Sequence, residues 1–329
     1  MANVAINGMG RIGRATLRVV MDTPELNLVG VNDIADPENI AYLVKHDSVY
    51  GRYPADVSYS DGKLHVGDEA IPFYSERNPA DLPWDELGVD IVFESTGVFT
   101  TTEKASAHIE GGAKYVLISA PAKDETPTVV YGVNSEDEGT NIISCASCTT
   151  NSITPVVEVL GRKFGIAKAI LTTVHGYTAS QGIVDMPHKA WVRGRTAAIN
   201  IVPTTTGAAK ATTKALPQYA GNFDGLAMRV PTPVGSVSDL TFLLETDVTE
   251  DEVNAALREA ADNEYKDVMA YTDIPFVSTD IIGDPHGSIV DLSMTKVVDG
   301  NLVKVLAWYD NEWGYTNQMV RKAKEIAAR

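Results

Sequence analysis

Cysteine is nearly absent. Only Cys145 and Cys148 occur in 329 residues, which rules out a disulfide framework and points to a reducing compartment. There is no second C-x-x-C and no His-x3-His to complete a zinc site, so no metal centre is expected. Long apolar runs are missing too. Nothing approaches the roughly 18 consecutive residues of a membrane-spanning helix. The opening Met1-Ala2-Asn3-Val4-Ala5 enters a strand at once, without the basic start and apolar stretch of a signal peptide. A cytoplasmic location away from membranes is therefore expected. Basic residues are few, 27 against 44 acidic ones, for a net charge of −17. Such a surface disfavours nucleic acid and anionic lipid as partners. The acidity has two readings: an ordinary acidic surface, or an adaptation to concentrated salt, in which ions screen the repulsion between hydrated carboxylates. Repeats and low-complexity linkers are also absent.

What is present suffices for two domains with sizeable cores, at 44% hydrophobic content. Residues 3–6 are a short apolar strand, Gly8-Met9-Gly10-Arg11-Ile12-Gly13 follows, and residues 14–21 read as a helix. A G-x-G-x-x-G between strand and helix is the context of dinucleotide binding. Gly8 makes the tight turn, Gly10 lets backbone approach a pyrophosphate, and Gly13 lets helix pack on strand. Residues 28–31 form the next strand, ended by Asp33, twenty positions past Gly13. An acid there accepts hydrogen bonds from an adenosine ribose and repels a 2′-phosphate. The plainer alternative is a Gly-rich turn in an ordinary α/β protein. Asp36-Pro37 supplies the N-cap and first position of a helix, and residues 57–74 alternate like small antiparallel strands. Buried-type strands at 90–94 and 115–119 enclose a helix with a capping box from Thr100 to Glu103 and a stop at Gly111-Gly112. This rhythm is that of a doubly wound parallel sheet. Its ligands bind at the carboxyl ends of the strands, here Ser95-Thr96-Gly97 and Ser119-Ala120-Pro121.

The stretch Ser144-Cys145-Ala146-Ser147-Cys148-Thr149-Thr150-Asn151-Ser152 turns from a strand end into a helix striped at 153, 156, 157, 160 and 164. Ser147 is placed to cap that helix, with Cys148 in its first turn. Free N–H groups and the helix dipole favour thiolate there, so the Cys148 pKa is expected below the free value of about 8.5. The alternatives are a pair of small buried hydrophobes or a redox pair. His175 lies 27 positions later, at the end of a strand over 168–174. If the two ends adjoin, it takes the thiol proton and the pair becomes thiolate–imidazolium; otherwise it is structural. Residues 179–200 show no clear period and are too many to be idle in a compact domain. Thr206-Gly207 opens a helix from 208 and, like Ser147 and Thr149, offers hydroxyl and N–H groups to a phosphate. Arg195 and Arg229 are candidate forks for an anionic substrate, or else surface ion pairs. Strands at 225–230, 237–246, 288–292, 295–298 and 302–308 indicate a mostly antiparallel sheet with helices on one face. Thr249 and Glu252 form a second capping box, and residues 312–328 an amphipathic helix. A cysteine nucleophile beside a nicotinamide suits attack on an aldehyde. The thiohemiacetal gives up hydride and leaves a thioester.

Six blocks, in order, resemble the phosphorylating glyceraldehyde-3-phosphate dehydrogenase family along nearly the whole chain. They are Ile6-Asn7-Gly8-Met9-Gly10-Arg11-Ile12-Gly13-Arg14, Ala146-Ser147-Cys148-Thr149-Thr150-Asn151, Thr173-Val174-His175, Pro203-Thr204-Thr205-Thr206-Gly207-Ala208-Ala209-Lys210, Met228-Arg229-Val230-Pro231-Thr232-Pro233 and Trp308-Tyr309-Asp310-Asn311-Glu312. The resemblance implies an α/β chain: a doubly wound (Rossmann) cofactor domain, residues 1–147 with 312–329, and an α+β catalytic domain, residues 148–311. It implies Cys148 as nucleophile and His175 as its activating base. Thr178 and Arg229 would hold the C3 phosphate of glyceraldehyde 3-phosphate, with Arg195 nearby. Ser147, Thr149, Thr206 and Gly207 would cradle inorganic phosphate. Arg11, Ile12, Asp33, Arg77 and Ser119 would line the cofactor site, and Asn311 would bond the nicotinamide amide. Residues 179–200 match the family's S-loop, which lines a neighbouring subunit's cofactor pocket, so a homotetramer is expected. Asp33 together with Pro187 resembles the forms that use NAD rather than NADP.

Some positions depart from the family pattern. Cys145 stands where Asn is common, Ser152 where a second Cys is usual, Ser180 where Asp or Asn is frequent, and Ala190-Trp191-Val192 replaces a charged run. Cys145 would either trap an oxidised Cys148 as a disulfide or simply fill the strand end. Three other functions compete. Erythrose-4-phosphate dehydrogenase uses the same scaffold with water cleaving the thioester, but Arg195 and the complete hydroxyl set weigh against it. A silent binding protein would not need the Cys148, His175 and Arg229 set. A cysteine peptidase would not need the glycine motif or Asp33.

Overall fold

The computed structural model describes residues 1–329. The chain forms two compact units. Unit 1 comprises Met1–Val129, Glu136–Ala146 and Met319–Arg329, and unit 2 comprises Val130–Ser135 and Ser147–Gln318.

Unit 1 runs β1 (Ala2–Asn7), α1 (Arg11–Met21), β2 (Leu26–Asn32), α2 (Pro37–Lys45), a short pair β3 (His46–Asp47) and β4 (Gly51–Arg52), β5 (Val57–Ser60), β6 (Lys63–Val66), β7 (Glu69–Tyr74), β8 (Ile91–Glu94), α3 (Thr102–Glu110), β9 (Tyr115–Ile118) and β10 (Ile142–Ser144). The sheet order is β10-β9-β8-β1-β2-β7-β6-β5. It is parallel from β10 to β7, and β6 and β5 add an antiparallel edge. The chain fills one side of β1 first and the other side later, so the strand order reverses between β1 and β8. A crevice opens there, outside the carboxyl ends. Two glycines make it possible. Gly8 has φ +94, and a Cβ on it would lie 2.7 Å from Thr96 N, so the turns after β1 and β8 meet only without a side chain. A Cβ on Gly13 would lie 1.8 Å from the Gly8 carbonyl oxygen, which is the close helix–strand contact expected of the third glycine.

The helix starts show what local chemistry controls. Asp36 caps α2, accepting from Asn39 N at 2.9 Å, with Pro37 at the first position. The helix α1 begins at Arg11 rather than 14, because extended Gly10 already serves as its N-cap. The expected capping box from Thr100 is corrected by one residue: Thr101 is the cap, accepting from Lys104 N at 3.3 Å, while Thr100 is buried. At the chain's end, Lys322 is buried within unit 1 and paired with Glu136 at 2.7 Å and Glu325 at 2.8 Å. A buried cation persists only when compensated in this way.

Unit 2 runs α4 (Cys148–Phe164), β11 (Ile166–Gly176), β12 (Val202–Thr205), α5 (Ala208–Ala215), β13 (Phe223–Val230), β14 (Ser236–Leu244), α6 (Glu250–Asp262), β15 (Met269–Thr272), β16 (Ser288–Val298), β17 (Leu302–Tyr309) and α7 (Trp313–Ala327), whose residues from Met319 count with unit 1. The sheet order is β12-β13-β11-β14-β17-β16-β15. Pairs β11·β14, β12·β13, β14·β17 and β16·β17 are antiparallel, and β11·β13 and β15·β16 parallel. One sheet face, with Leu171, Leu240, Phe242, Val303 and Val305, packs against Ile153, Val156, Val157 and Leu160 of α4 and Val253, Ala256 and Leu257 of α6. On the other face Ile170, Leu226, Leu243 and Leu302 are exposed. The two strands expected at 288–292 and 295–298 are one strand with a register break between Asp291 and Lys296. Thr249 and Glu252 form the expected capping box. Strands β12 and β15 were not foreseen; each has only four residues.

Candidate active site

Unit 1 carries a cavity of about 390 Å³ at the carboxyl ends of β1, β2 and β8, lined by Asn7, Gly8, Gly10, Asn32, Asp33, Ile34, Arg77, Thr96, Val98 and Phe99 among others. Asp33 Oδ2 accepts from Met9 N at 2.6 Å, and Oδ1 from Ala35 N at 2.8 Å. The carboxylate is thereby fixed at the cavity edge, tied to the glycine turn. A Cβ on Gly10 would meet nothing within 4 Å, so the backbone there lies open to a ligand. Arg77 is exposed on the cavity wall. Other expected residues stand back from it. Arg11 is paired with Asp47 at 2.5 Å and lies over the Tyr50 ring, Ile12 is half-buried in the first turn of α1, and Ser119 follows β9, its N–H donating to Glu94 O at 2.9 Å.

Unit 2 assembles a thiol–imidazole pair. Ser147 caps α4, its Oγ accepting from Thr150 N at 3.1 Å, which puts Cys148 at the first helical position. The turn leading there passes through Ala146 at φ +59, an uncommon region for a residue with a Cβ. Cys148 Sγ lies 3.4 Å from His175 Nε2. The parallel pairing of β11 with β13 sets His175 beside Arg229, whose Nη1 is 2.7 Å from His175 Nδ1 and 2.9 Å from Gly176 O. His175 Nδ1 also lies 2.6 Å from Gly176 O. Tyr309 stands edge-on to the imidazole, and its hydroxyl joins Thr149 Oγ1 and Thr173 Oγ1, each at 2.8 Å.

The electrostatics correct one expectation. Burial pushes the Cys148 thiol up rather than down; Arg229 and the Thr149 N–H and hydroxyl oppose it without prevailing. Burial, then Arg229, pull His175 down to about 3, with a smaller push from Arg193. Both shifts lean toward thiol and neutral imidazole rather than thiolate–imidazolium, with burial opposing the helix start at a thiol that is itself only partly buried.

The remaining expected residues are placed as follows. Thr206 Oγ1 accepts from Ala208 N at 3.2 Å at the start of α5, beside exposed Gly207. Thr178 Oγ1 pairs with Ser180 Oγ at 2.9 Å. Asn311 is buried, its Oδ1 accepting from Gly235 N at 3.0 Å and Ser236 Oγ at 3.1 Å, which leaves its amide N–H groups to face elsewhere. Arg195 is not brought to the pair. It is exposed and held by Asp185 at 3.0 Å. Arg193 is the arginine whose charge reaches both His175 and Arg229, with its Nε donating to Thr204 Oγ1 at 3.0 Å. Sequence reasoning passed over Arg193 and gave Tyr309 no role. The available signal was the arginine two positions before Arg195 in a segment without periodicity.

The comparisons decide the family. The glyceraldehyde 3-phosphate dehydrogenase NAD-binding domain matches residues 2–102, and the C-terminal domain of the same enzyme matches residues 147–311. The chain is 52% identical over 322 residues to glyceraldehyde-3-phosphate dehydrogenase of Streptomyces coelicolor, covering 96% of each. It is 50% identical over 329 residues to that of Geobacillus stearothermophilus, covering 99% of this chain and 98% of the relative.

The chain belongs to the glyceraldehyde-3-phosphate dehydrogenase family.

Within that family's frame the departures find their places. Cys145 is buried, and burial pushes its thiol up to about 12. A thiol so reluctant to ionise is a poor attacker of an oxidised sulfur, and the strand-end filler reading is the one supported. Ser152 is fully buried, its hydroxyl without a partner. Trp191 and Val192 are exposed in the 179–200 segment.

Proposed function

We infer that this glyceraldehyde-3-phosphate dehydrogenase family member carries out the NAD-dependent oxidative phosphorylation of D-glyceraldehyde 3-phosphate to 1,3-bisphosphoglycerate. The observation that carries it is Cys148 Sγ at a helix start, 3.4 Å from His175 Nε2, with Arg229 alongside. His175 Nε2 takes the thiol proton as Cys148 Sγ bonds to the aldehyde carbon, giving a thiohemiacetal. Bound NAD would supply the acceptor for the hydride that this carbon releases. The carbon is left as a thioester on Cys148, which inorganic phosphate cleaves, restoring the sulfur. The unit 1 residues fit the dinucleotide: open backbone at Gly10, a fixed carboxylate at Asp33 and a cavity of about 390 Å³ between them and Arg77. Gly8, Gly13 and Arg77 shape or border that cradle. Asp33 favours NAD by repelling a 2′-phosphate.

Arg229 and Thr178 receive the C3 phosphate. Arg229 Nε is buried without a protein partner, a donor awaiting an anion. Arg193 replaces Arg195 as the second cation. Ser147, Thr149, Thr206 and Gly207 receive the attacking phosphate. An anion on Arg229 and Arg193 offsets both cations that lower His175, so substrate binding strengthens the base, while the larger effect of burial stays. The exposed apolar side chains Ile183, Val184, Met186, Trp191 and Ile199 support burial of the 179–200 segment in a homotetramer, to be read from mass in solution. No helix is long and apolar enough to cross a membrane, and two free thiols suit the cytoplasm. The deciding assay is NADH formation from glyceraldehyde 3-phosphate with and without phosphate or arsenate. Strict dependence on the anion is expected; turnover without it would select the water-cleaved alternative.

A further inference from the structure

Behind the walls of the dinucleotide cavity lies a polar cluster that the reaction does not use. Glu94, ending β8, and His108, on α3, have side chains with no solvent exposure, and His108 Nε2 lies 2.9 Å from Glu94 Oε2. Trp84 Nε1–H donates to His108 Nδ1 at 3.0 Å. An indole N–H is only a donor, so the imidazole keeps its proton on Nε2 and donates it to the carboxylate. Asn7 Nδ2 donates to the same Oε2 at 2.6 Å. Oε1 accepts from Thr96 N at 2.8 Å and from the Thr96 hydroxyl. Four donors converge on one enclosed carboxylate.

Its partners are the cavity's own walls. Asn7 and Thr96 line the cavity, as does Asn32, whose Nδ2 donates to Asn7 Oδ1 at 2.7 Å. The Thr96 backbone that Glu94 holds is the one Gly8 abuts. An apolar filling would serve to support the sheet; a buried carboxylate is costly and demands every donor. What it adds is a fixed orientation at three strand ends.

We propose that Glu94 and His108 are positioning residues for the dinucleotide: the pair locks the turn after β8 to the turn after β1 and holds the cavity walls in binding geometry before the cofactor arrives. This rests on the reading that the cavity takes NAD, which wild-type turnover with NAD tests separately.

The experiment compares wild type with His108→Leu, His108→Gln and Glu94→Gln. The measurements are KM for NAD, KM for glyceraldehyde 3-phosphate, kcat at saturating NAD, NAD Kd by tryptophan quenching, and melting temperature. His108→Leu strands the Glu94 carboxylate, and Glu94→Gln leaves two donors facing one another. Each should raise the KM and Kd for NAD about tenfold, the scale of one unsatisfied buried group, with kcat and the aldehyde KM within about twofold. His108→Gln, whose amide N–H can still reach Glu94, should recover most of the NAD affinity. The proposal is overturned if His108→Leu melts earlier yet binds NAD normally, if both KM values rise together while kcat falls, or if His108→Gln is no better than His108→Leu. Should His108→Leu not fold, the isosteric Glu94→Gln decides: NAD affinity at the wild-type level overturns the proposal.

Discussion

At the scale of single residues, the two nearby arginines make the sharpest contrast. Arg195 is exposed and occupied by Asp185, whereas Arg193 shares its field with His175 and Arg229. Arg195→Ala should therefore change kcat/KM for glyceraldehyde 3-phosphate by less than about threefold, and Arg193→Ala should lower it by about tenfold or more, as for loss of a charge-assisted contact. Steady-state kinetics at fixed ionic strength decide between them. His175 gives a second prediction. Its folded pKa, about 3, lies below the unfolded 6.5, so its contribution to stability is complete above pH 6.5 and is lost as pH falls toward 3. Near pH 5 that loss amounts to roughly 2 kcal/mol. Urea unfolding should show wild type losing more stability between about pH 7.5 and 5 than His175→Asn, which has no imidazole to protonate. The thiol–imidazole pairing and the glycine turn were legible in the sequence because each sits at a local junction of strand, turn and helix. The direction in which burial moves the Cys148 and His175 pKa values was not, since it depends on packing by distant segments. The placement of Arg193 near His175 and Arg229, with Arg195 turned to Asp185, was hidden for a related reason: residues 179–200 have no period from which to read direction.

At the scale of elements, what the sequence revealed was what capping and periodicity control. The Asp36, Ser147 and Thr249 caps fall where expected, because an Asp, Ser or Thr before an apolar stripe satisfies free N–H groups wherever it occurs. The four-residue strands β12 and β15 escaped notice. A strand so short owes its state to the neighbour it pairs with, Phe223–Val230 for β12 and Ser288–Val298 for β15, rather than to its own propensity. The junction of β1 and α1 is the element most exposed to damage. A methyl group at Gly13 would be driven against the Gly8 carbonyl. Gly13→Ala should destabilise the protein by ~3 kcal/mol and weaken NAD binding beyond that loss, as read by calorimetry alongside NAD titration. Unchanged affinity in a folded variant would detach the third glycine from cofactor binding.

At the scale of the whole molecule, charge is the feature that composition alone displays. With a net charge of −17, self-repulsion weakens the folded state in dilute buffer, and screening relieves it within about 10 Å at 0.1 M salt. If the acidity is an adaptation to concentrated salt, the melting temperature and activity should both rise with KCl into the molar range. Activity highest in dilute buffer and falling steeply toward molar KCl would leave only the ordinary acidic surface.

The discontinuity of unit 1 has a consequence for truncation. Its piece Met319–Arg329 lies far along the chain from the rest of that unit, whereas the pieces of unit 2 end at Gln318. Lys322 in that piece is the buried counter-charge of Glu136. A chain cut after Gln318 keeps every residue of its thiol–imidazole half and strands a buried carboxylate in its nucleotide-cradling half. Such a truncated chain should be digested by protease in residues 1–129 sooner than in residues 147–318.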